Sequence, residues 1–136
     1  MNRIVRICLL SFIISISFSS CESDSEVVPS QDERDKFLGA WSVDANGSVS
    51  GNLNYTIQIT ASSSEPSQIL MKNFDFQGTG TQTIGEVAGN NIFINAQVIN
   101  GDTIAGSGSY SNQKITFNYT VKDGITTDVV SAIATK

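Results

Sequence analysis

Histidine is absent from this chain of 136 residues, and cysteine occurs only twice. Without an imidazole, the chain can form neither a Ser-His-Asp triad, nor a Cys-His pair, nor a histidine metal site. Lysine and arginine together number 8 against 13 aspartates and glutamates, so the basic face of a nucleic-acid-binding protein is not expected. No acidic cluster has calcium-loop spacing, and no glycine-rich stretch joins a strand to a helix. We therefore expect no metal site, no cofactor and no nucleic-acid partner.

Carboxylates are the remaining candidates for acid–base chemistry. Seven of them lie mostly in turns or at polar positions of strands: Asp44, Glu65, Asp75, Glu86, Asp102, Asp123 and Asp128. A glycosidase-like reaction needs two carboxylates that face one cleft, and no two of these share an obvious inward face. Their expected roles are solubility and turn formation, and the chain is predicted not to be an enzyme.

Long hydrophobic runs are scarce, and the longest lies at the start of the chain. Arg3 and Arg6 precede an apolar run of 12 residues, positions 7–18, which only serines interrupt. A membrane-spanning helix needs about 20 apolar residues, so this run is too short to serve as the mature anchor. A positive segment followed by a short apolar run is typical of a secretory leader, predicted here over residues 1–20.

The residues Phe18-Ser19-Ser20-Cys21 resemble the lipobox of bacterial lipoproteins. That resemblance implies that Cys21 becomes the acylated N-terminus, held in the membrane by acyl chains such as palmitate. The alternative is an ordinary cleaved leader that leaves Cys21 as a free thiol. Because Cys8 lies inside the leader, the mature chain would contain one cysteine and could form no internal disulfide.

Charge is concentrated directly after Cys21. Eight of the 15 residues at positions 22–36 are charged, against 11 of the 98 residues at positions 39–136. Residues 21–29 are therefore expected to form the acylated cysteine and a flexible acidic tether. The acidic run 22–26 resembles the export signals of surface lipoproteins of Bacteroidota, and a merely solubilising spacer explains it equally well. We expect an outer-membrane lipoprotein that is either periplasmic or surface-exposed.

The domain is predicted to span residues 30–136 and to begin with a short helix. Ser30 and Glu33 have the spacing of a capping box, which predicts one or two helical turns over residues 31–38. Gly39 follows as a natural residue to end the helix.

Beyond Gly39 the hydrophobic period is 2, which indicates strands. Leu53, Tyr55, Ile57 and Ile59 alternate with polar residues, and the alternating sets 92–98 and 115–121 behave alike; the former places Ala96 and Val98 on the inward side. Weaker runs cover residues 41–49, 68–76, 81–88, 103–110 and 125–135. Turn-forming residues separate these runs, including Gly51-Asn52, Asn100-Gly101 and Asp123-Gly124.

Eight strands joined by seven short links predict an all-β fold, a small eight-stranded antiparallel up-and-down barrel. Closure would remove both sheet edges and bury the apolar face. An open sheet or a sandwich is the alternative. Gly106 and Gly108 share the parity of inward residues, which suits a sharp bend or a close approach inside a small barrel.

The segment Gly39-Ala40-Trp41 resembles the Gly-x-Trp opening of lipocalins and related calycin barrels. Residues 68–74 and the Gly-Asn-Asn-Ile turn at 89–92 also fit the short lipocalin-like lipoproteins of Bacteroidota. The resemblance implies that Trp41 packs at the closed end of the barrel, beneath the N-terminal turn. No arginine follows the last strand to cover Trp41, and only Lys136 is near.

Aromatic side chains are the best candidates for a binding site. Four of them have inward parity or align with it, and they are candidate ligand-binding residues: Tyr55, Tyr110, Phe117 and Tyr119. Core packing is the default interpretation, and a small pocket oriented by phenol hydroxyls is the alternative.

Two further features of the sequence suggest surface roles. Phe93 has outward parity and could form an exposed contact patch with Phe74 and Phe76, or lie beneath a loop. Asp102-Thr103-Ile104 resembles the short O-glycosylation motif of Bacteroidota envelope proteins, which makes Thr103 a candidate for modification.

Three functions fit these observations. The first is a non-enzymatic, lipid-anchored barrel that binds a small apolar or lipidic ligand in the envelope. The second is a protein-interaction module, such as an inhibitor or an accessory subunit of an envelope complex, with a filled barrel. The third is a surface-coat component without a ligand.

Cys21→Ala is expected to release the protein from the membrane fraction, because the substitution removes the only cysteine that can carry acyl chains after cleavage of the leader. Phase partitioning in detergent checks this, with Cys8→Ala as the control that keeps its anchor. Unchanged partitioning of the Cys21 variant would contradict the lipoprotein interpretation.

Overall fold

The computed structural model describes residues 31–136, so the leader, Cys21, the tether and Ser30 lie outside the described residues. Eight antiparallel strands follow one another along the chain: β1 (Gly39–Gly47), β2 (Gly51–Ala61), β3 (Gln68–Lys72), β4 (Gln82–Ala88), β5 (Asn91–Ile99), β6 (Asp102–Ser111), β7 (Lys114–Lys122) and β8 (Thr127–Thr135). Each strand pairs with the next, and no helix within this range is long and apolar enough to cross a membrane.

Pairing between β1 and β8 closes the sheet into a barrel. The register runs antiparallel from Ser42 opposite Thr135 to Gly47 opposite Val130. Closure gives every strand two neighbours and turns the apolar face of the sheet inward. The predicted up-and-down barrel is therefore confirmed, and the open sheet and the sandwich are excluded.

Two predicted strand boundaries are wrong because side chains elsewhere in the chain fix the links. The first turn occupies residues 48–50 rather than Gly51-Asn52, because the carboxylate of Asp128 accepts hydrogen bonds from the backbone N–H groups of Val49 and Ser50. The predicted run 68–76 is a strand only as far as Lys72 and then forms the 3₁₀ turn Phe74–Phe76. Because β3 ends at Lys72, residues 73–76 belong to the link between β3 and β4 and not to a strand.

A β-bulge in β5 reverses the predicted inward parity of Ala96 and Val98. The pairing with β6 shifts between Ile94 and Gln97, so that two residues of β5 face one residue of β6. Ala96 and Val98 are consequently exposed. The side-chain amide of Gln97 bonds to both the N–H and the C=O of Ile84, where β4 and β5 no longer pair.

Tight turns replace the helix that was predicted over residues 31–38. The N–H groups of Asp35, Phe37 and Leu38 each donate to the carbonyl three residues earlier. Arg34 determines this geometry, because its guanidinium reaches the carbonyl oxygens of the β2–β3 loop, at Ser62, Glu65 and Gln68. A helix this short has little stability of its own, so these tertiary bonds decide the conformation.

Trp41 packs beneath this N-terminal turn at one end of the barrel, which we call the closed end. Its indole N–H donates to the carbonyl of Phe37 at 2.6 Å, and its ring meets Tyr110 edge-on. The ammonium of Lys136 lies 4.5 Å from the centroid of the Trp41 ring, in a cation–π contact. Lysine thus covers the tryptophan where no arginine is present, and the closed end has the arrangement that the resemblance implied.

The interior is filled by alternating large and small side chains of neighbouring strands. Phe117 of β7 lies between Gly108 of β6 and Ala132 of β8. Tyr119 lies next to Gly106 in the same way, and a methyl group on Gly106 would overlap with Tyr119 Cβ. The close approach predicted at these glycines is therefore present.

Gly106→Ala is expected to lower the free energy of unfolding by about 1–3 kcal/mol, because overpacking forces Tyr119 or the β7 backbone to move. Urea denaturation midpoints measure the change. Gly80→Ala is the matched control, since nothing lies within 4 Å of its added methyl group, and its effect should stay within about 0.5 kcal/mol. Equal midpoints for the two variants would show that the β6–β7 contact is not close.

Candidate functional site

The end of the barrel opposite Trp41, which we call the mouth, collects most of the predicted site residues. It is formed by four links: residues 48–50, 73–81, 100–101 and 123–126. The hydroxyl groups of Tyr55 and Tyr119, on strands far apart in sequence, lie 3.2 Å apart here. Phe117 lies deeper on the same strand as Tyr119 and is fully buried.

Tyr110, the fourth candidate, is not part of this group. Its ring meets Phe37 and Trp41 edge-on at the closed end. Strand β6 begins at the mouth with Asp102 and ends at the closed end with Ser111. Tyr110 therefore packs beneath the N-terminal turn. The structure therefore unites three of the four predicted residues and assigns Tyr110 to the opposite end of the barrel.

Residues 73–77, which we call the plug, fill the space that a ligand would need above Phe117. The Phe74 ring lies 5.2 Å from that of Phe117 and 4.8 Å from that of Tyr119, and it is 1% exposed. The prediction that Phe74 joins an exposed patch is therefore wrong. Once β3 ends early, Phe74 folds inward and completes the apolar interior.

The other two phenylalanines of the expected patch are exposed but lie on different parts of the barrel. Phe76 is on the plug at the mouth, with its ring 6.3 Å from that of Tyr55. Phe93 is on the outer face of β5, opposite Glu86 and Ser107. Outward parity is confirmed for Phe93, and it is not covered by a loop.

The plug has a strained backbone. Asn73, Asp75 and Phe76 all have positive φ angles, between 55° and 59°, in a region that non-glycine residues rarely occupy. The side chain of Asn73 compensates by donating to the carbonyl of Thr56 and accepting from the N–H of Gly78, each at 2.9 Å. Such strain persists only where surrounding contacts hold it in place.

Asp75 completes a chain of hydrogen bonds at the mouth. The hydroxyl of Tyr119 donates to Asp75 Oδ1 at 2.8 Å, which leaves Tyr55 to donate to Tyr119. Burial raises the pKa of Tyr55 to about 12, and burial together with Tyr55 and Asp75 raises the pKa of Tyr119 further. Both phenols are therefore neutral hydrogen-bond donors at physiological pH, and neither serves as a base.

Burial also raises the pKa of the Asp75 carboxyl above its ordinary value, against the lowering effect of the hydrogen bonds from Tyr119 and Gln77. The charges of Asp128 and Asp102 act in the same direction as burial. These groups line one depression of about 210 Å³, which also includes Asp123. The sequence suggested that no two carboxylates share a face, whereas four of them converge here.

Each of these carboxylates has a structural partner. Asp123 accepts from the N–H groups of Ile125 and Thr126, which holds the β7–β8 loop. Asp128 holds the β1–β2 loop, and Asp102 accepts from Gln77. Within residues 31–136, no group of three or more acidic side chains is arranged to hold a metal ion.

The roles of Asp75 and Phe74 differ from those that the sequence predicted, which were turn formation or solubility for Asp75 and an exposed patch for Phe74. The run Asn73-Phe74-Asp75-Phe76 reads as a continuation of the third strand because its apolar residues alternate. A turn was nevertheless indicated by Asn73 and Asp75, because Asn and Asp adopt left-handed backbone angles more readily than most residues. Gly78 and Gly80, which follow, are also typical of a turn. Thr103, the candidate glycosylation site, lies half-exposed on β6 beside Asp102.

The comparisons with known proteins do not assign a family. No protein-family model matches the chain, and no curated protein matches its sequence significantly.

Asp75→Asn is expected to stabilise the protein relative to wild type by an amount that grows as the pH rises from 4 to 7. The folded state holds the Asp75 proton more tightly than the unfolded state, where the pKa is near 3.8. Stability that is present below that pKa is therefore lost as the pH rises through the raised pKa of the folded state. Asparagine stays neutral and keeps an oxygen acceptor for Tyr119.

Urea denaturation of both proteins across this pH range measures the difference. Asp128→Asn is the comparison variant, and its effect on stability should depend on pH in the opposite direction. Burial alone would raise the pKa of Asp128, but the hydrogen bonds from the β1–β2 loop lower it below its ordinary value. The cost of that substitution should therefore shrink as the pH falls. Parallel curves for wild type and Asp75→Asn would contradict the assignment.

Proposed function

We propose that this protein is a non-enzymatic, lipid-anchored module of the bacterial envelope, with a lipocalin-like barrel that binds a protein partner through its outer surface. The observation that carries the proposal is the filled interior. Inward side chains from all eight strands and Phe74 of the plug are almost completely buried against one another. A barrel packed in this way leaves its outer face and its loops for recognition.

The leader and Cys21 support attachment to a membrane, since the lipobox-like residues precede the only cysteine of the mature chain. The Trp41 arrangement at the closed end supports the lipocalin-like part of the proposal. At the mouth, the phenols of Tyr55 and Tyr119 and the carboxylates bond to loops or neighbouring side chains, which gives these groups structural roles.

A small apolar ligand bound inside the barrel is the second candidate function. Two observations favour it. Phe74 comes from a strained link rather than a strand, so a compact aromatic ligand could take the place of its ring between Phe117 and Tyr119. The hydroxyl of Thr83 is buried without a hydrogen-bond partner among the described residues, which is costly unless a guest molecule satisfies it.

Calorimetric titration with indole, a compact neutral aromatic probe, separates the two functions. Wild type is expected to show no saturable binding, because no space remains above Phe117. Phe74→Ala is expected to gain binding, since truncation of a buried phenylalanine leaves a cavity of its own shape. Phe93→Ala, which removes an exposed ring from the outer wall, is the control and should stay without binding.

Saturable binding of one probe per wild-type barrel, weakened by Tyr55→Phe or Tyr119→Phe, would replace the proposed function with the second candidate. Native mass spectrometry of protein purified from its own cells provides the complementary measurement. The expected mass is that of the acylated chain alone or with a protein partner, and a co-purifying small molecule would contradict the proposal.

A further inference from the structure

Three large apolar side chains project from three different links at the mouth. Val49, Phe76 and Ile125 are 63%, 64% and 97% exposed, and we call them the apolar rim. Isolated exposed apolar residues are ordinary on protein surfaces, whereas a group carried by the loops that border one depression indicates an interaction site. Val49 and the neighbours of Phe76 and Ile125 line the same depression at the mouth.

The backbone holds each member of the apolar rim in place. The N–H of Val49 donates to Asp128, and the N–H of Ile125 donates to Asp123. The N–H of Phe76 donates to the carbonyl of Asn73, within the strained plug. Side chains presented on a fixed backbone lose less conformational freedom when a partner binds, which favours affinity.

The depression inside the apolar rim is acidic and lacks a counter-charge. Four carboxylates line it: Asp75, Asp102, Asp123 and Asp128. Neither a lysine nor an arginine lines it, and the ion pair found within residues 31–136 is Arg34 with Asp32, at the closed end. A cation flanked by apolar groups would therefore complement both the charge and the hydrophobicity of this surface.

The N-terminal turn, residues 31–38, lies at the end of the barrel opposite the mouth. The turn crosses the closed end, where Glu33 accepts from the N–H of Gly89 and Lys36 donates to Asn90. The described residues therefore begin at the end of the barrel opposite the apolar rim. The acidic depression disfavours contact with an anionic lipid surface.

We propose that the apolar rim and its acidic depression dock a protein segment that presents a lysine or arginine flanked by apolar side chains. The cation enters the depression between Asp102 and Asp123, and the apolar flanks pack on Val49, Phe76 and Ile125. This inference rests on the proposed function and adds to it the place of binding and the chemistry of the partner.

Selection from a random dodecapeptide library tests this inference. The target is the acylated full-length mature protein in lipid nanodiscs, with counter-selection on empty nanodiscs. Enriched peptides are expected to carry a lysine or arginine next to apolar residues. Their binding should weaken at least tenfold in the double variant V49S/I125S and also in D102N/D123N, in which asparagine can keep the hydrogen bonds of both loops.

Matched controls make the same chemical changes away from the mouth. Ile133→Ser removes an exposed apolar side chain from the outer face of β8, and Asp44→Asn removes a charge from the outer face of β1. Neither should alter peptide binding by more than twofold. Circular dichroism and urea midpoints equal to those of wild type establish that the rim variants remain folded.

Three outcomes would overturn the inference. Peptides that lose binding with Ile133→Ser but not with the rim variants would place the partner on the outer wall and leave the proposed function intact. Enriched peptides without a cation, or a selection that enriches none, would refute the docking chemistry. Sedimentation of the protein with vesicles of phosphatidylethanolamine and phosphatidylglycerol, if it is lost in the rim variants, would assign the apolar rim to a membrane surface instead.

Failure of the proposed function itself is detected separately, as binding of indole by the wild-type barrel.

Discussion

The size of the barrel is the constraint on which the rest of the structure depends. Eight short strands that close on themselves enclose a space only just wide enough for their own side chains. The bulkiest inward rings therefore need small neighbours on adjacent strands, and Phe117 lies between Gly108 and Ala132. The same constraint accounts for the filled interior, because a ring supplied by the plug is enough to occupy the remaining space beneath the mouth.

The two ends of the barrel are stabilised in different ways. At the closed end, Trp41, Phe37 and Lys136 form a compact set of contacts, and Arg34 joins the N-terminal turn to the β2–β3 loop. At the mouth, the plug keeps left-handed backbone angles and a buried carboxyl because Asn73 and Tyr119 bond to it. The left-handed backbone of the plug and its partly buried carboxyl group therefore depend on contacts with the strands around the mouth.

Recognition at the mouth depends on the combination of its apolar and acidic parts. Apolar side chains alone would favour many surfaces, and carboxylates alone would attract any cation. Together, on loops that Asp123 and Asp128 hold rigid, they select a partner that carries both properties in the correct arrangement. The carboxylates therefore have two physical roles, since they order the loops and give the depression its charge.

Local sequence pattern by itself determined the strand count, their order, the Asn100-Gly101 turn and the inward side of Tyr55, Phe117 and Tyr119. Alternation with period 2 and turn chemistry depend only on neighbouring residues, so they can be read without the fold. Only the tertiary structure decided that β5 bulges, that Phe74 turns inward, and that Asp75 meets Asp102, Asp123 and Asp128. Residues 31–38 likewise form turns instead of the predicted helix, and Arg34 bonds to carbonyl groups of the distant β2–β3 loop. These features arise from contacts between residues far apart in the chain, which a pattern of neighbouring residues does not contain.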